Sequence, residues 1–365
     1  MLERIQTFRR DLHQIPELEL KLPKTQRYIQ EALRDLPCTL SSPISSSVVA
    51  FFDAGKKESV AFRSDMDALP VTEATGRAFA SRHAGCMHAC GHDGHMAMLL
   101  EFAHQLSGYY KELPHNVVLI FQPGEETPGG AEPMCKSGIF EQYHIKRIFG
   151  FHVWPMLDKG VIATRRNEFM ARSSEVNIDI TGKSAHAAKY KEGIDAMEIA
   201  ARYMLDLYNM EQVELQPETY RLLRFGLLKS GTVRNVVANA ARMEGTLRAF
   251  QDETYQYMKQ RLIELAKPYE EQGAKFSFDI NTGYPAVMND AALVDEVVKM
   301  DPHIVLLKEP EMISEDFAHY QRKVPGVFFF LGTGTGIALH AHNFDFYEEV
   351  LLSGVAQYCK LSRME

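Results

Sequence analysis

The sequence predicts an α/β protein: a mixed, mostly parallel sheet flanked by helices and interrupted by an inserted α+β domain. Three observations carry that expectation. Short runs rich in Val, Ile and Phe alternate with stretches of helical periodicity in the first half of the chain, strict polar–apolar alternation takes over near Arg172, and a buried-strand run returns near Val324. Strand–helix–strand order implies parallel strands joined by a covering helix. Alternation along a strand marks an antiparallel sheet with one face in solvent.

In chain order, the start Met1-Leu2-Glu3-Arg4-Ile5-Gln6 reads as a charged amphipathic helix rather than a secretory signal. Residues 59–62, 117–121 and 147–153 are expected strands, with a helix over 97–106 between the first two. Residues 175–181, 221–228, 241–250 and 275–280 alternate, and 194–208 and 252–271 have helical periodicity, which reads as two helices on one face of an antiparallel sheet. The expected domains are therefore 1–171 with 286–365, and an insertion at 172–285. After the run 324–331 comes a Gly/Thr-rich turn at 332–336 and then His340. In this scheme Asp65, Asp67, Glu125, Glu126 and His152 fall at the carboxyl ends of parallel strands, where open α/β sheets build their sites.

A chain of 365 residues that is 45% hydrophobic can bury more than one core. Its formal charge of -8 argues against nucleic acid and anionic membranes as partners, and no apolar run is long enough to span a bilayer. Five cysteines, an odd number scattered at 38, 86, 90, 135 and 359, do not make a disulfide framework, so a reduced, cytoplasmic globular protein is expected.

Four segments carry the chemistry: His88-Ala89-Cys90-Gly91-His92-Asp93, Gln122-Pro123-Gly124-Glu125-Glu126, Gly150-Phe151-His152-Val153-Trp154-Pro155, and Leu339-His340-Ala341-His342-Asn343-Phe344. Apolar runs that repeatedly end on Cys, His and Glu point to a metal centre assembled from distant segments. Cys90 as thiolate can bridge two cations, His92 and His152 offer neutral imidazole and Glu126 offers carboxylate, a set suited to zinc, manganese, cobalt or nickel rather than magnesium or calcium. With His340 the donors number too many for one tetrahedral ion, so two ions roughly 3.5–4 Å apart are expected. Their surplus charge would acidify a bound water and attract an anionic substrate. Neighbouring side chains of an extended segment point apart, so Glu126 is assigned to metal and Glu125 to general base. Asp65 is expected to accept from a ligand imidazole and set its tautomer, with Asp67 as the alternative.

The other histidines and cysteines have plainer readings. His13, His83, His104, His115, His144, His303 and His319 lack ligand spacing, while His88 and His95 flank the cluster either as outer partners or in cap and loop roles. Glycines 332, 334 and 336 lack the following Lys-Ser/Thr of a phosphate loop and read as a turn carrying His340.

The ordered set Arg63-Ser64-Asp65-Met66-Asp67-Ala68-Leu69-Pro70, 88–93, 122–126, 150–155, 182–188, 231–237, 245–248, Ser314-Glu315-Asp316-Phe317 and Leu339-His340 resembles the dinuclear metallo-amidohydrolases, over nearly the whole chain. These include aminoacylase, hippurate hydrolase, plant auxin-conjugate hydrolases, N-acetyldiaminopimelate deacetylase and, more distantly, glutamate carboxypeptidases. The resemblance implies a zinc-exopeptidase-like catalytic domain with a lid or dimerisation insert. It also implies hydrolysis of a small anionic N-acyl amino acid by metal-held hydroxide, with Cys90, His92, Glu126, His152 and His340 as ligands and Glu125 as base. By the same likeness His186, in Gly182-Lys183-Ser184-Ala185-His186, would swing in or reach across a dimer to stabilise the oxyanion. Asn235 would contact substrate or oxyanion, and Arg248 is a candidate partner for a substrate carboxylate. Departures at Gly124, Ser184, Ala238-Asn239 and His342 remove no ligand but bear on substrate choice. A metallo-carboxypeptidase or dipeptidase, and a non-catalytic binding protein on the same fold, are the alternatives. The edges of the inserted sheet must be covered or paired, and pairing two copies would give a homodimer.

Overall fold

The apolar runs of the first half are strands of a single sheet. The computed structural model describes residues Met1–Glu365 and divides into two units, Met1–Phe169 with Met288–Pro310 and Asp316–Glu365, and Met170–Val287 with Glu311–Glu315. In the first unit eight strands lie in the order Thr39–Ser41, Val48–Phe52, Asn116–Gln122, Ser59–Asp65, Ile145–Trp154, Gly326–Gly332, Ile162–Thr164 and Val305–Leu306. The four central strands are parallel. Three of them are buried along their entire length, as Val-, Ile- and Phe-rich strands covered on both faces must be. The Val48–Phe52 strand, which the sequence reading passed over, joins antiparallel to Asn116–Gln122.

One helix begins at a candidate ligand, His92. His92–Leu106 begins five residues earlier than the expected 97, because Gly91 adopts a left-handed φ of 87° and turns the chain directly into the helix. A Cβ on Gly91 would lie 2.5 Å from a Val153 methyl, and one on Gly94 would lie 2.7 Å from the Phe346 ring, so the helix start packs flush against its neighbours. Helices Leu2–His13 and Leu351–Leu361 flank it, and their apolar faces join the sheet in one core that includes Ile5, Leu12, Leu99, Phe102, Val355 and Tyr358.

The second unit is a four-stranded antiparallel sheet in the order Lys275–Ile280, Arg172–Thr181, Ala240–Ala249, Arg221–Ser230. Val176, Ile178, Ile180, Met243 and Leu247 face the helices Ala196–Val213 and Asp252–Glu270, meeting Tyr203, Leu207, Met258 and Leu262. The first helix starts two residues later than the expected 194, where Asp195 caps it by accepting from the Met197 and Glu198 amides. The short 311–315 segment, expected with the first domain, lies in this unit instead, the Ala171 N–H being shared between the carbonyls of Glu311 and Ile313. No helix is long and apolar enough to cross a membrane.

Candidate metal centre

The first unit brings Cys90, His92, Glu126, His152 and His340 together at the carboxyl end of its parallel strands. Asp67, just past the Ser59–Asp65 strand, organises two of them. Its carboxylate accepts the Glu125 amide at 2.8 Å and the Glu126 amide at 3.0 Å, while its carbonyl accepts from His92 Nδ1 at 2.8 Å. The Nδ1 proton being spent there, His92 presents Nε2 as a lone pair, and this buried atom has no hydrogen-bond partner. His152 is set the same way, Nδ1 donating to the Val153 carbonyl at 2.7 Å and Nε2 lying 3.3 Å from Cys90 Sγ. His340 Nε2 is 3.3 Å from both Cys90 Sγ and Glu126 Oε1. His340 itself holds a left-handed φ of 64°, and its N–H is tied to the Ala89 carbonyl at 2.9 Å. Such backbone strain in a non-glycine residue is characteristic of functional sites.

The donors fall into two sets that share one atom. Cys90, His92 and His152 form one and Cys90, Glu126 and His340 the other, with the donor atoms of each set within 4.8 Å of one another. The first set is buried, whereas the His340 side chain in the second is 52% exposed. Two further facts test the fit to metal. His92 Nε2 and Glu126 Oε1 are buried atoms without hydrogen-bond partners, and a sulfur shared by two clusters of imidazole and carboxylate suits borderline divalent ions better than oxygen-seeking ones. The residues present therefore fit a pair of transition-metal ions.

Electrostatics agree. Burial, then the charges of Glu126 and Glu125, push the Cys90 thiol well above its usual value, so it ionises only against a cation. His92 is driven up to about 10: burial opposes its charge, but Asp65, Asp67 and Glu126 outweigh burial, and its proton stands where positive charge is wanted. His152 is pushed down to about 3, first by burial and then by the neighbouring His95, and so is neutral, as a metal donor would have to be.

Two expectations are corrected. Glu125 and Glu126 are not in an extended segment: they lie in a turn, and both carboxylates sit 4.0 Å from His92 Nε2. Consecutive side chains of a turn can converge, so what separates the pair is His340, which approaches Glu126. Asp65 does not fix the tautomer of His92, which the Asp67 carbonyl holds. Asp65 instead takes His95 Nδ1 at 2.7 Å and Arg63 Nη1 at 2.9 Å, and lies 3.8 Å from His92 Nε2.

Of the substrate-facing candidates, the second unit brings His186 and Asn235 together. Ala187 N–H donates to the Asn235 carbonyl at 3.0 Å, and His186 bridges Val236. His186 is exposed, and its Nδ1 accepts the Ala188 amide at 3.1 Å, which leaves Nε2 to carry the outward N–H. Arg248 is half-buried and donates to the Met312 carbonyl.

Sequence reasoning missed one support, Arg9. Fully buried Arg9 holds Asp93 at 3.2 Å, Asp345 at 2.6 Å and the Phe346 carbonyl at 2.8 Å, with its guanidinium 3.8 Å from the Phe346 ring centre. It thereby joins the helix of His92 to the segment that follows His340. Asp65, Asp67 and His95 were already named beside the cluster in the sequence, and the structure places His95 three residues after His92, on the same helix face.

The chain matches the family described as Peptidase family M20/M25/M40 over residues 61–363. It is 35% identical to the N-acetyldiaminopimelate deacetylase of Lacticaseibacillus casei, covering 96% of this chain and 94% of that one. It is likewise 35% identical to an uncharacterised hydrolase of Staphylococcus epidermidis, over 99% of this chain and 98% of the relative. Among solved structures, a putative aminohydrolase from methicillin-resistant Staphylococcus aureus superposes with a TM-score of 0.89 at 28% identity, covering 99% and 95% of the two chains. A dinuclear metal-binding peptidase of the M20 family from Bacillus subtilis superposes with a TM-score of 0.84 at 30% identity, covering 99% and 97%. On a match that spans most of its length, and on relatives alike from end to end, the protein belongs to peptidase family M20/M25/M40 and is a hydrolase of amide bonds.

Proposed function

We propose that this protein removes the acyl group, N-acetyl foremost, from small N-acyl amino acids, using two divalent transition-metal ions held by Cys90, His92, Glu126, His152 and His340. The observation that carries the reading is the sharing of Cys90 between two donor sets beside a further carboxylate, Glu125. Ions held there supply Lewis acidity toward the amide carbonyl and toward water. Glu125 takes the proton of the attacking water and delivers it to the leaving amine nitrogen. Asp67, by gripping both glutamate amides, keeps Glu125 and Glu126 aimed at the same space. His186, with its outward Nε2–H, and Asn235 stabilise the oxyanion, His186 swinging in or serving the site of a second copy. Arg248 binds the substrate carboxylate, exchanging a backbone carbonyl for a charged partner. The deacetylase relatives support the choice of an acetyl group. Peptide-bond cleavage is the second reading, favoured by the peptidase neighbour from Bacillus subtilis.

The protein works in a reducing, cytoplasmic compartment, in keeping with its five free cysteines. It pairs as a homodimer through the Arg221–Ser230 edge strand, near which Leu228, Val233 and Val236 are exposed. Amine release from a panel of N-acetyl and N-benzoyl amino acids and dipeptides, with chelator and after return of zinc, manganese, cobalt or nickel, tests the function. Chelator-sensitive release, fastest from an N-acetyl amino acid, is expected. No release from any member while two ions are bound would overturn it.

A further inference from the structure

The ladder between the Ser59–Asp65 and Ile145–Trp154 strands ends at the pair Arg63↔Gly150, yet the second strand runs on to Trp154. Val153, fully buried, therefore has an N–H and a carbonyl with no strand to meet on that side, and unpaired backbone groups in a core are costly. Two histidines take the missing strand's place. The Val153 N–H donates to His95 Nε2 at 2.9 Å, and the Val153 carbonyl accepts from His152 Nδ1 at 2.7 Å. His95 is held from behind, its Nδ1 donating to Asp65 Oδ1 at 2.7 Å, while Asp65 Oδ2 lies 2.9 Å from Arg63 Nη1. A carboxylate can only accept, so His95 carries its hydrogen on Nδ1 and offers Nε2 as the acceptor. With both ring nitrogens engaged, His95 is not a ligand, although it sits three residues from one.

We propose that His95 is a positioning residue for the metal centre, pinning the Val153 backbone so that the His152 ring folds back on the Val153 carbonyl and turns Nε2 toward Cys90. The chain of contacts runs from buried Arg63 through Asp65, His95 and Val153 to His152, with every link 2.7–2.9 Å long. It ends 3.3 Å from the sulfur that both donor sets share. The carboxylate behind His95 strengthens Nε2 as an acceptor, and the peptide it holds carries the carbonyl that fixes the tautomer of His152. Asp65 thus acts on the centre at one remove, through a residue that does not touch the ions.

This inference rests on the metal-centre reading, and the test separates the two. The full-length protein, stripped of metal, is titrated with cobalt(II) by equilibrium dialysis and visible absorption, alongside His95→Asn and His95→Gln. The Asn amide reaches about where Nδ1 lies and keeps the Asp65 bond only; the Gln oxygen reaches about where Nε2 lies and keeps the Val153 bond only. If His95 acts through Val153, H95Q binds close to wild type and H95N loses about 10- to 100-fold in affinity for one equivalent of cobalt. Equal affinities of the two variants, or the opposite order, overturn the inference while leaving the metal reading in place. No binding by the wild type overturns both. Should either variant fail to fold, nitrogen-resolved NMR of the wild-type histidines decides: Nδ1–H on both His95 and His152 supports the proposal, and Nε2–H on either ring sinks it.

Discussion

Glu125 and Glu126 are equidistant from His92 Nε2, so their difference in role is one of company rather than of reach. Glu126 has His340 Nε2 at 3.3 Å, and the proposed mechanism gives proton transfer to Glu125. Glu125→Gln should lower turnover by about 10²- to 10⁴-fold while both metal equivalents stay bound, as measured by amine release and metal analysis on the same sample. Unchanged turnover would move the base elsewhere. The two donor sets should also part with their ions differently. His340 is half in solvent, whereas Cys90, His92 and His152 are buried, so chelator should remove one equivalent fast and the other slowly. Release of both equivalents at one rate in stopped flow would contradict this.

The helix that begins at His92 shows how tightly an element can be placed by one glycine. Gly91→Ala meets both a left-handed φ and a Val153 methyl at 2.5 Å, whereas Gly138→Ala meets a similar φ of 85° with nothing within 4 Å. The second change should cost about 1–2 kcal/mol, and the first a further 1–3 kcal/mol or so together with metal affinity, by denaturant titration and cobalt binding. Equal costs would mean that the close approach to Val153 is unimportant. Long, periodic elements were legible in the sequence: Lys275–Ile280 follows strict alternation, and the parallel strands were visible as apolar runs. The start of the helix at His92 was not, because His, Asp and Gly of the motif break the apolar period just where the backbone already turns. Val48–Phe52 was missed because a short apolar stretch on its own has no period to read. The five candidate donors were legible as residue types grouped in short motifs; Glu126 follows a strand and His152 lies near the end of one, while Cys90 and His92 stand at the start of a helix. The tautomers were not, since they depend on backbone carbonyls that no side-chain pattern encodes.

At the scale of the molecule, a buried charge network ties the first helix to the rest of its unit. His13 lies 2.8 Å from Asp93 and 3.3 Å from Glu73. Burial opposes its charge, but Asp93 and Glu73 outweigh burial and hold it up to about 9, while Glu73 is held down to about 2 against burial, chiefly by His13. A raised histidine stabilises fully below its unfolded value of about 6.5 and less as pH climbs through 9. A depressed carboxyl stabilises above its ordinary value and less as pH falls toward 2. Urea midpoints should therefore drop on the alkaline side between pH 6.5 and 9, by about 3 kcal/mol in unfolding free energy, and that drop should shrink in His13→Asn. A flat profile over that range would remove His13 from the network. The same network couples Arg9 to Asp345, two residues that lie 336 positions apart. The family match spans residues 61–363, which takes in Asp93 and Asp345 but not Arg9. During synthesis Arg9 is made 336 positions ahead of Asp345. Arg9 of the first helix can meet Asp93 early, but its shorter contact to Asp345 closes only when that distant segment is present. A nascent chain stalled before Asp345 therefore holds Arg9 and Asp93 without the third member of their charge cluster.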